Sequence, residues 1–569
     1  MNALVPGWLR HYRRDWLAGD LSAGLIVTVM LVPQSLAYAM LAGLPPQMGL
    51  YASVLPIVAY ALFGTSMTLA VGPVAVASLM TASALTPLAA PGSVDYVALA
   101  IQLSLLSGVM LIAFGLLRLG FLAHFLSHPV ISGFISGAAV LIAIGQIRHL
   151  LGVRIQAEGV IDTVMALIMA LPRTNLVTLA IGAGSVALLV LARSRVPGWL
   201  AAAGLARPRA ELIGRLAPMV VVVMATVVVG AFELDQRAQV AVVGAVPAGL
   251  PELPGARQLV PGWDTLESLL LPALLISLVG FVESVSVAQS FALKRRQRID
   301  ANRELLGLGA ANAASALSGG FPVTGGLARS VVNFSAGANT PLAGVVSAAL
   351  MAVVLMLFTG WFRAMPHAVL AATILVAVTS LIDLKTFREA WAYDRGDALA
   401  LAATALGVIA LGVEHGIVLG VAFSLGVIVW RGSRPHIAVV GRLPGTEHYR
   451  NVDRHAVQTV PGTLVLRIDE SLIFANAMQV RAQIDARVAA DAAIRRVVIS
   501  CAGVNQIDTT GLEMLVALDS DLHRQEIELV LAEVKGPVMD RLESTEFGHG
   551  MTGRVFLSLH AAVGDSAQP

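Results

Sequence analysis

The stretch FPVTGGLARSVVNFSAG, Phe321–Gly337, sets an arginine just after a double glycine inside apolar sequence. Pro322 disfavours helix in the residue before it, and Val323 and Thr324 are β-branched, so Phe321–Thr324 reads as a short extended piece. Gly325 and Gly326 break it, and the composition from Leu327 onward suits a helix whose first turn carries Arg329. A helix that starts at membrane depth presents free backbone N–H groups and the positive end of its dipole. A guanidinium added there makes a site for an anion. Irregular backbone is tolerated at that depth only where protein buries it or a cavity borders it, and broken helices aimed at a substrate recur in transporters. The bland alternative is an interfacial arginine that snorkels to the headgroups.

A matching pattern stands in the first half of the chain. VPQSLAYAMLAGLP (Val32–Pro45) takes the place that FVESVSVAQSFALK (Phe281–Lys294) takes in the second half, and GPVAVAS (Gly72–Ser78) matches GGLARSV (Gly325–Val331) at a similar separation. The first copy starts inside and the second outside, which makes an inverted repeat of the kind that points to a secondary transporter. Where the two short helices point toward each other, Arg329 and both N-termini share one central site. Gln34 and Tyr38 fall at i and i+4 on one helix face and offer an amide and an aromatic face to a bound anion. Glu283 and Ser284 lie in the matching helix of the second half. A carboxylate inside a membrane helix is costly, so Glu283 holds a coupling proton, binds Na⁺, or pairs structurally with Arg329. The sequence leaves these three open.

The elements that must position these residues are membrane helices. The 569-residue chain is 57% hydrophobic and 13% charged, against about 25% charged in soluble domains. Its mean hydropathy is +0.78. Counting ~20 apolar residues per span, and fewer for a half-helix, gives about fourteen segments. They start near Leu21, Met48, Leu69, Tyr96, Val130, Asn175, Leu216, Leu266, Asn302, Gly326, Thr340, Pro366, Asp397 and His415. Those after Leu69 and Gly325 are too short and too interrupted to span alone. Arg10, Arg13 and Arg14, then Arg193, Arg195, Arg207 and Arg209, then Lys294–Arg298, then Lys385, Arg388 and Arg395 all fall on one side under this count. The opposite-side loop Phe232–Pro261 is nearly free of positive charge, so both termini are expected in the cytoplasm of a multi-pass bacterial inner-membrane protein. Residues 1–19 read as a cytoplasmic arm, 20–432 as the transmembrane domain with repeats near 20–232 and 266–432, and 433–448 as a linker.

Residues 449–562 then alternate strand and helix: Thr463–Ile468, Ala477–Ala490, Arg496–Ser500, Thr510–Gln525, Ile527–Val534, a helix from Pro537 and a strand from Arg554. That spacing implies a small α/β domain, with 563–569 a disordered tail. The net charge of +2 argues against nucleic-acid binding. Cys501 stands alone, no Cys/His cluster has metal-ligand spacing, and neither a phosphate-cradling Gly-rich loop ending in Lys-Ser/Thr nor an HExxH pair is present. An enzyme is therefore disfavoured, and no cofactor is expected beyond a coupling proton or Na⁺. Gly133–Gly137 and Gly416–Gly420 read as small-xxx-small packing motifs.

At these residues the chain resembles the SulP anion permeases, also called solute carrier family 26. Pro33–Ser53 is similar to the family signature, Gly72–Met80 and Gly319–Gly344 to its third- and tenth-helix motifs, and the C-terminal unit with the loop IDTTGLEML (Ile507–Leu515) to a STAS domain. The resemblance covers nearly the whole chain. It implies a polytopic helical protein of seven-plus-seven inverted repeats, as in uracil-permease-like folds, with core and gate domains. It also implies elevator-like transport of a small anion such as sulfate, bicarbonate or a dicarboxylate within a homodimer, by proton- or Na⁺-coupled symport or by anion exchange. The family's anion-site positions fall on Gln34, Tyr38, Val74 with its neighbour Ala75, Gly326, Leu327, Ala328 and Arg329. Several relatives carry Ser or Thr at the Ala328 position, so this chain lacks a hydroxyl donor there. Asp508, Thr509 and Thr510 hold the place of a STAS loop that is phosphorylated in some relatives; the alternative is that Asp508 and Thr509 cap the next helix and the loop meets another domain or a cytoplasmic protein partner. A channel, or a membrane sensor signalling through the STAS domain, remains the alternative to a carrier.

Overall fold

The computed structural model describes residues 6–124, 127–155, 157, 159–214, 216–251 and 253–564. The first residues of the expected N-terminal arm and most of the expected tail lie outside them. Two compact units divide between Ser424 and Leu425.

The first unit is helical. Its main helices are α1 (Leu17–Leu41), α2 (Leu55–Phe63), α3 (Ala75–Leu85), α4 (Val94–Leu116), α5 (His128–Leu151), α6 (Leu176–Ser194) and α7 (Ala217–Ala231). The second half brings α8 (Trp263–Lys294), α9 (Ala301–Leu317), α10 (Leu327–Ser335), α11 (Leu342–Leu357), α12 (His367–Thr379), α13 (Arg395–Leu411) and α14 (Val413–Gly432), within which the division falls. Two strands precede two of the short helices, β1 (Val71–Gly72) before α3 and β2 (Thr324–Gly325) before α10. Among the described residues, seven helices are long and apolar enough to cross a membrane. The half-helices α3 and α10 reach only 11 and 9 residues. One apolar helix, Gly159–Ala170, has no counterpart among the segments read from the sequence. Its 12 residues fall short of a span.

Two groups of helices pack internally. In one, α9 lies on α4 and α2, α11 on α1 and α2, and α8 on α3, α4 and α10. In the other, α5 lies on α6, α12 and α13. The groups meet where α1 touches α7 and α12 and where α3 touches α5. Small residues set the closest approaches. A Cβ on Gly133 would stand 2.3 Å from the Leu401 carbonyl oxygen, and one on Gly416 would stand 2.3 Å from the Val408 nitrogen. Both glycine pairs therefore pack helix against helix.

Two buried carboxylates tie loops to this framework. Asp20, at the start of α1, accepts from the backbone N–H groups of Asn339 and Thr340 at 2.6 and 3.0 Å and from the Thr340 hydroxyl at 2.7 Å. Glu304, in the first turn of α9, accepts from the Tyr60 hydroxyl at 2.6 Å and from the N–H groups of Thr65 and Ser66 at 2.6 and 3.0 Å. Each carboxylate is fully buried yet saturated with donors, which is what makes its burial affordable.

The second unit is a six-stranded sheet in the order β4-β3-β5-β6-β7-β8, with β3 (Ile437–Arg442), β4 (Tyr449–Asn451), β5 (Thr463–Ile468), β6 (Arg496–Ser500), β7 (Glu528–Ala532) and β8 (Val555–Phe556). β5 to β8 run parallel, and β3 is antiparallel to both β4 and β5. Residues 433–448 are thus not a plain linker, because β3 lies within them. Pro435 and the preceding apolar helix mask the strand's short alternation in the sequence. The helices α15 (Ala477–Ala490) and α16 (Thr509–His523) cover one sheet face, packing Val480, Ile484, Leu515 and Leu518 against Val497, Ile499, Leu529 and Leu531. Leu559, Ala562 and Val563 cover the other face over Val498 and Val530. The expected strand from Arg554 ends after two residues, since Leu557 turns fully outward and a helix begins at Leu559.

Cys501 lies buried at the end of β6, and burial pushes its thiol up to about 12, with Glu533 adding to the effect. At pH 8 roughly one thiol in ten thousand is then ionised, and the thiolate is the reactive form. We expect a water-soluble maleimide at pH 8 to leave folded protein unmodified and to label it fully in denaturant. Rapid labelling of folded protein would contradict this placement.

Candidate functional site

β1 and β2 pair antiparallel, with Val71 opposite Gly325 and Gly72 opposite Thr324. The Gly326 N–H extends the pairing to the Ala70 carbonyl at 3.0 Å. Because each strand runs straight on toward its own half-helix, α3 and α10 leave the crossing in opposite directions with their N-termini at its centre. Neither Val74 nor Gly326, the two N-cap residues, places a side-chain cap on its helix. The first backbone bonds of each half-helix run from Ser78 to Val74 and from Ser330 to Gly326. The N–H groups of 75–77 and 327–329 precede those bonds and have no acceptor within their own helix. Two positive helix ends thus face one place.

Polar side chains from the surrounding helices hold this irregular backbone. Ser284 of α8 accepts the Gly325 N–H at 2.9 Å, and the Thr324 hydroxyl donates to the Gly280 carbonyl at 2.8 Å. Asn312 of α9 accepts the Val323 N–H and donates to the Val323 carbonyl, each at 2.9 Å. Ser330 accepts the Ala70 N–H at 2.9 Å, and Asn333 donates to the Thr68 carbonyl at 3.0 Å. The double glycine has a steric cause. A Cβ on Gly325 would lie 2.7 Å from Leu69 and 2.9 Å from the Ser284 hydroxyl, and one on Gly326 would lie 3.0 Å from Arg329 Nη2.

Arg329 is 2% exposed. Its Nη1 donates to the Pro73 carbonyl at 2.5 Å, joining α10 to the turn before α3, while Nε and Nη2 have no protein partner. Glu283 Oε2 is also buried without a partner, so these two charges share no hydrogen bond through those atoms. They are close enough to act on each other electrostatically, and Tyr38 feels both. A direct Glu283–Arg329 ion pair within 4 Å is not formed, which removes the simplest version of structural pairing.

A cavity of about 550 Å³ opens in front of the crossing. Gln34, Tyr38, Ala75, Leu327 and Ala328 line it, opposite Thr373 and Ile374 of α12. It continues to Arg193 at the end of α6 and Pro218 at the start of α7. Val74, Gly326 and Arg329 stand behind this wall as buried residues. The cavity surface at Ala328 is a methyl group, with no hydroxyl to offer. In the second unit, Asp508 accepts the Gly511 N–H at 2.8 Å as the N-cap of α16 and the Phe474 N–H at 2.7 Å, while Thr509 and Thr510 are exposed. Among the described residues no three His, Cys, Asp or Glu side chains converge as a metal site would require.

Sequence reasoning passed over Asp20, Glu304, Asn312, Ser330 and Asn333. For the two carboxylates a signal existed, since the cost argument applied to Glu283 applies equally to a lone acid at the edge of an apolar segment. The serines and asparagines gave none, as their roles depend on which backbone they meet.

Helix ends converging on a cavity between two helix groups define a membrane transporter for anions. Comparison with known proteins gives it a family. A sulfate permease family model matches residues 17–404, and a STAS domain model matches residues 454–562. A probable sulfate transporter of Mycobacterium tuberculosis is 33% identical over 557 residues, covering 97% of this chain and 96% of that protein. The chloroplastic sulfate transporter 4.1 of Arabidopsis thaliana is 34% identical over 538 residues, covering 92% of this chain and 76% of that one. Among solved structures, the murine Solute Carrier 26 family member A9 anion transporter in the inward-facing state superposes with a TM-score of 0.90 at 22% identity, covering 100% of this chain and 94% of that chain. The transmembrane domain of the cyanobacterial bicarbonate transporter BicA gives 0.60 at 26% identity over 72% of this chain and 98% of that one. The chain belongs to the sulfate permease family, whose members are membrane transporters rather than enzymes, and it carries a STAS domain.

Arg329→Ala should weaken anion binding about a hundredfold, because the paired helix ends lose the charge behind them, while the fold is retained. Arg329→Lys keeps the charge but loses the fork that reaches Pro73, so a loss of about tenfold is expected. Binding of labelled sulfate to purified protein, with thermal melting as the folding control, checks both. Unchanged affinity in Arg329→Ala would remove the site assignment.

Proposed function

We propose that this chain is a secondary active carrier of a small oxyanion or carboxylate, with sulfate, bicarbonate and dicarboxylates as the substrate class. The observation that carries the reading is the meeting of two uncapped half-helix N-termini at the wall of the cavity, with the Arg329 charge buried behind them. Such a site recognises an anion by backbone N–H groups and dipoles. Its wall has no hydroxyl at Ala328, so selection rests on the size and charge of the anion. The similar proteins that carry sulfate and bicarbonate in their names lie within this class.

Movement of the anion is elevator-like in this account. The group formed by α1–α4 and α8–α11 carries the site past the other group, and the few contacts of α1 and α3 with α5, α7 and α12 form the sliding surface. The protein sits in a bacterial inner membrane with both termini in the cytoplasm, as the distribution of arginine and lysine favours, and works as a homodimer whose STAS domains are open to a cytoplasmic partner. With the cytoplasmic side assigned in this way, the 550 Å³ cavity faces inward. Glu283 supplies the coupling charge: a proton or Na⁺ neutralises it as the anion compensates Arg329.

Uptake by purified protein in proteoliposomes tests this. Labelled sulfate, bicarbonate and fumarate are compared with and without an inward proton or Na⁺ gradient. Gradient-dependent accumulation of one of them is expected, and Glu283→Gln should preserve anion exchange but abolish accumulation. Fast, uncoupled conductance would instead make the protein a channel, and anion binding without flux would make it a sensor.

A further inference from the structure

We propose that the end of α8 binds the phosphate of an anionic phospholipid and so ties the helices that bear the anion site to the headgroup layer. The binding stands on the membrane location alone; its effect on transport rests on the carrier reading above. Residues 294–303 carry five cations, Lys294, Arg295, Arg296, Arg298 and Arg303, against one acid, Asp300. Arg295 is half-buried and the other four cations are exposed. Asp300 is spent on capping α9, where it accepts the N–H groups of Asn302 and Arg303 at 3.0 and 3.2 Å. Asp20 and Glu304 are saturated by the backbone and hydroxyl donors that surround them. Among the described residues none of the five cations forms an ion pair within 4 Å.

A charge run that only orients a chain in the membrane needs cations but no particular geometry. This one has geometry. Phe291 of α8 and Phe334 of α10 pack with their ring centroids 5.1 Å apart. Arg295 Cζ lies 4.7 Å from the centre of the Phe334 ring, and Lys294 Nζ lies 5.3 Å from that of Phe291. A guanidinium held on a ring face keeps its N–H edges free to donate, in the fork that matches a phosphate. α8 then closes at Arg296, whose φ of 54° lies in the left-handed region, and the Gln297 N–H returns to the Ala292 carbonyl at 2.8 Å. Glycine is the usual residue at that place, so an arginine there costs backbone energy while adding a cation at the negative end of the helix.

The bilayer supplies the matching anion. Headgroup phosphates stand at the level where a membrane helix ends, and clusters of Lys and Arg at that level attract anionic lipid. Leu293, 78% exposed beside Lys294, gives an acyl chain an apolar neighbour. A lipid therefore answers both the charged and the apolar parts of this surface, whereas a free phosphate answers only the first. Phe334 lies in the last turn of α10, so a phosphate held on Arg295 acts on the half-helix that carries Arg329. In the elevator account α8 and α10 travel together, and the lipid restrains the moving group at the headgroup layer.

The test uses the full chain. Lys294→Gln/Arg296→Gln/Arg298→Gln leaves the Arg295 packing in place, and Lys385→Gln/Arg388→Gln/Arg395→Gln removes the same charge from exposed positions elsewhere. Phosphatidylglycerol is titrated onto each protein in uncharged detergent and read by native mass spectrometry, with thermal melting as the folding control. The first variant should bind about a hundredfold more weakly, and the second within about threefold of the unmodified chain. Anion uptake in phosphatidylcholine vesicles should change about fivefold when phosphatidylglycerol is added, and the first variant should not respond. Equal weakening in both variants would overturn the proposal, because diffuse surface charge would then hold the lipid. Full displacement of the lipid by soluble glycerol 1-phosphate would overturn it as well, since a free phosphate ester would then be the ligand. Lipid binding that follows the first variant in a chain that moves no anion would sink the carrier reading and leave the lipid site standing.

Discussion

Two helices that stop halfway through the membrane leave backbone groups without partners in a medium that offers none, and the rest of the transport unit is built around that cost. The strands β1 and β2 pair with each other for only two residues each, so most of the remaining backbone is satisfied from outside. Ser284, Asn312, Ser330 and Asn333 supply those bonds from three different helices. What stays unsatisfied is the first turn of α3 and of α10, and that remainder is the binding site proposed for the anion. In that proposal the functional feature is the part of the backbone cost that the protein leaves unmet.

The same logic explains the buried charges. Asp20 and Glu304 are saturated by donors and behave as fixed anions that fasten the loop before α11 and the loop before β1. Arg329 and Glu283 are not saturated. A buried ion that lacks partners marks a site whose charge balance changes during function. In this chain the two unsaturated ions lie at the crossing and the two saturated ones lie at loops, a division that fits the roles proposed for Arg329 and Glu283.

Much of this was readable in the residues. The broken segment at Thr324–Gly326 and its partner at Gly72 were legible because glycine, proline and β-branched residues punctuate apolar sequence in a way that few alternatives share. The helix starts were legible because membrane spans are long and apolar. Within the STAS domain, β5, α15 and β6 follow from strong local patterns, whereas β3 was read as linker because its pairing with β5 depends on residues some thirty positions away. The position of Arg329 behind the cavity wall, rather than in it, could not be read at all. It depends on Gly72 and Gly326 opening room for the guanidinium and on the Pro73 carbonyl receiving it.

The claim on which the account turns is that the anion sits between the two half-helix ends. Selenate, a heavy analogue of sulfate, can be located by its anomalous scattering in crystals of the full chain. The account predicts one strong peak in the cavity between the first turns of α3 and α10, beside Ala75 and Ala328 and next to Tyr38. A peak elsewhere in the transport unit, with none at that crossing, would contradict it.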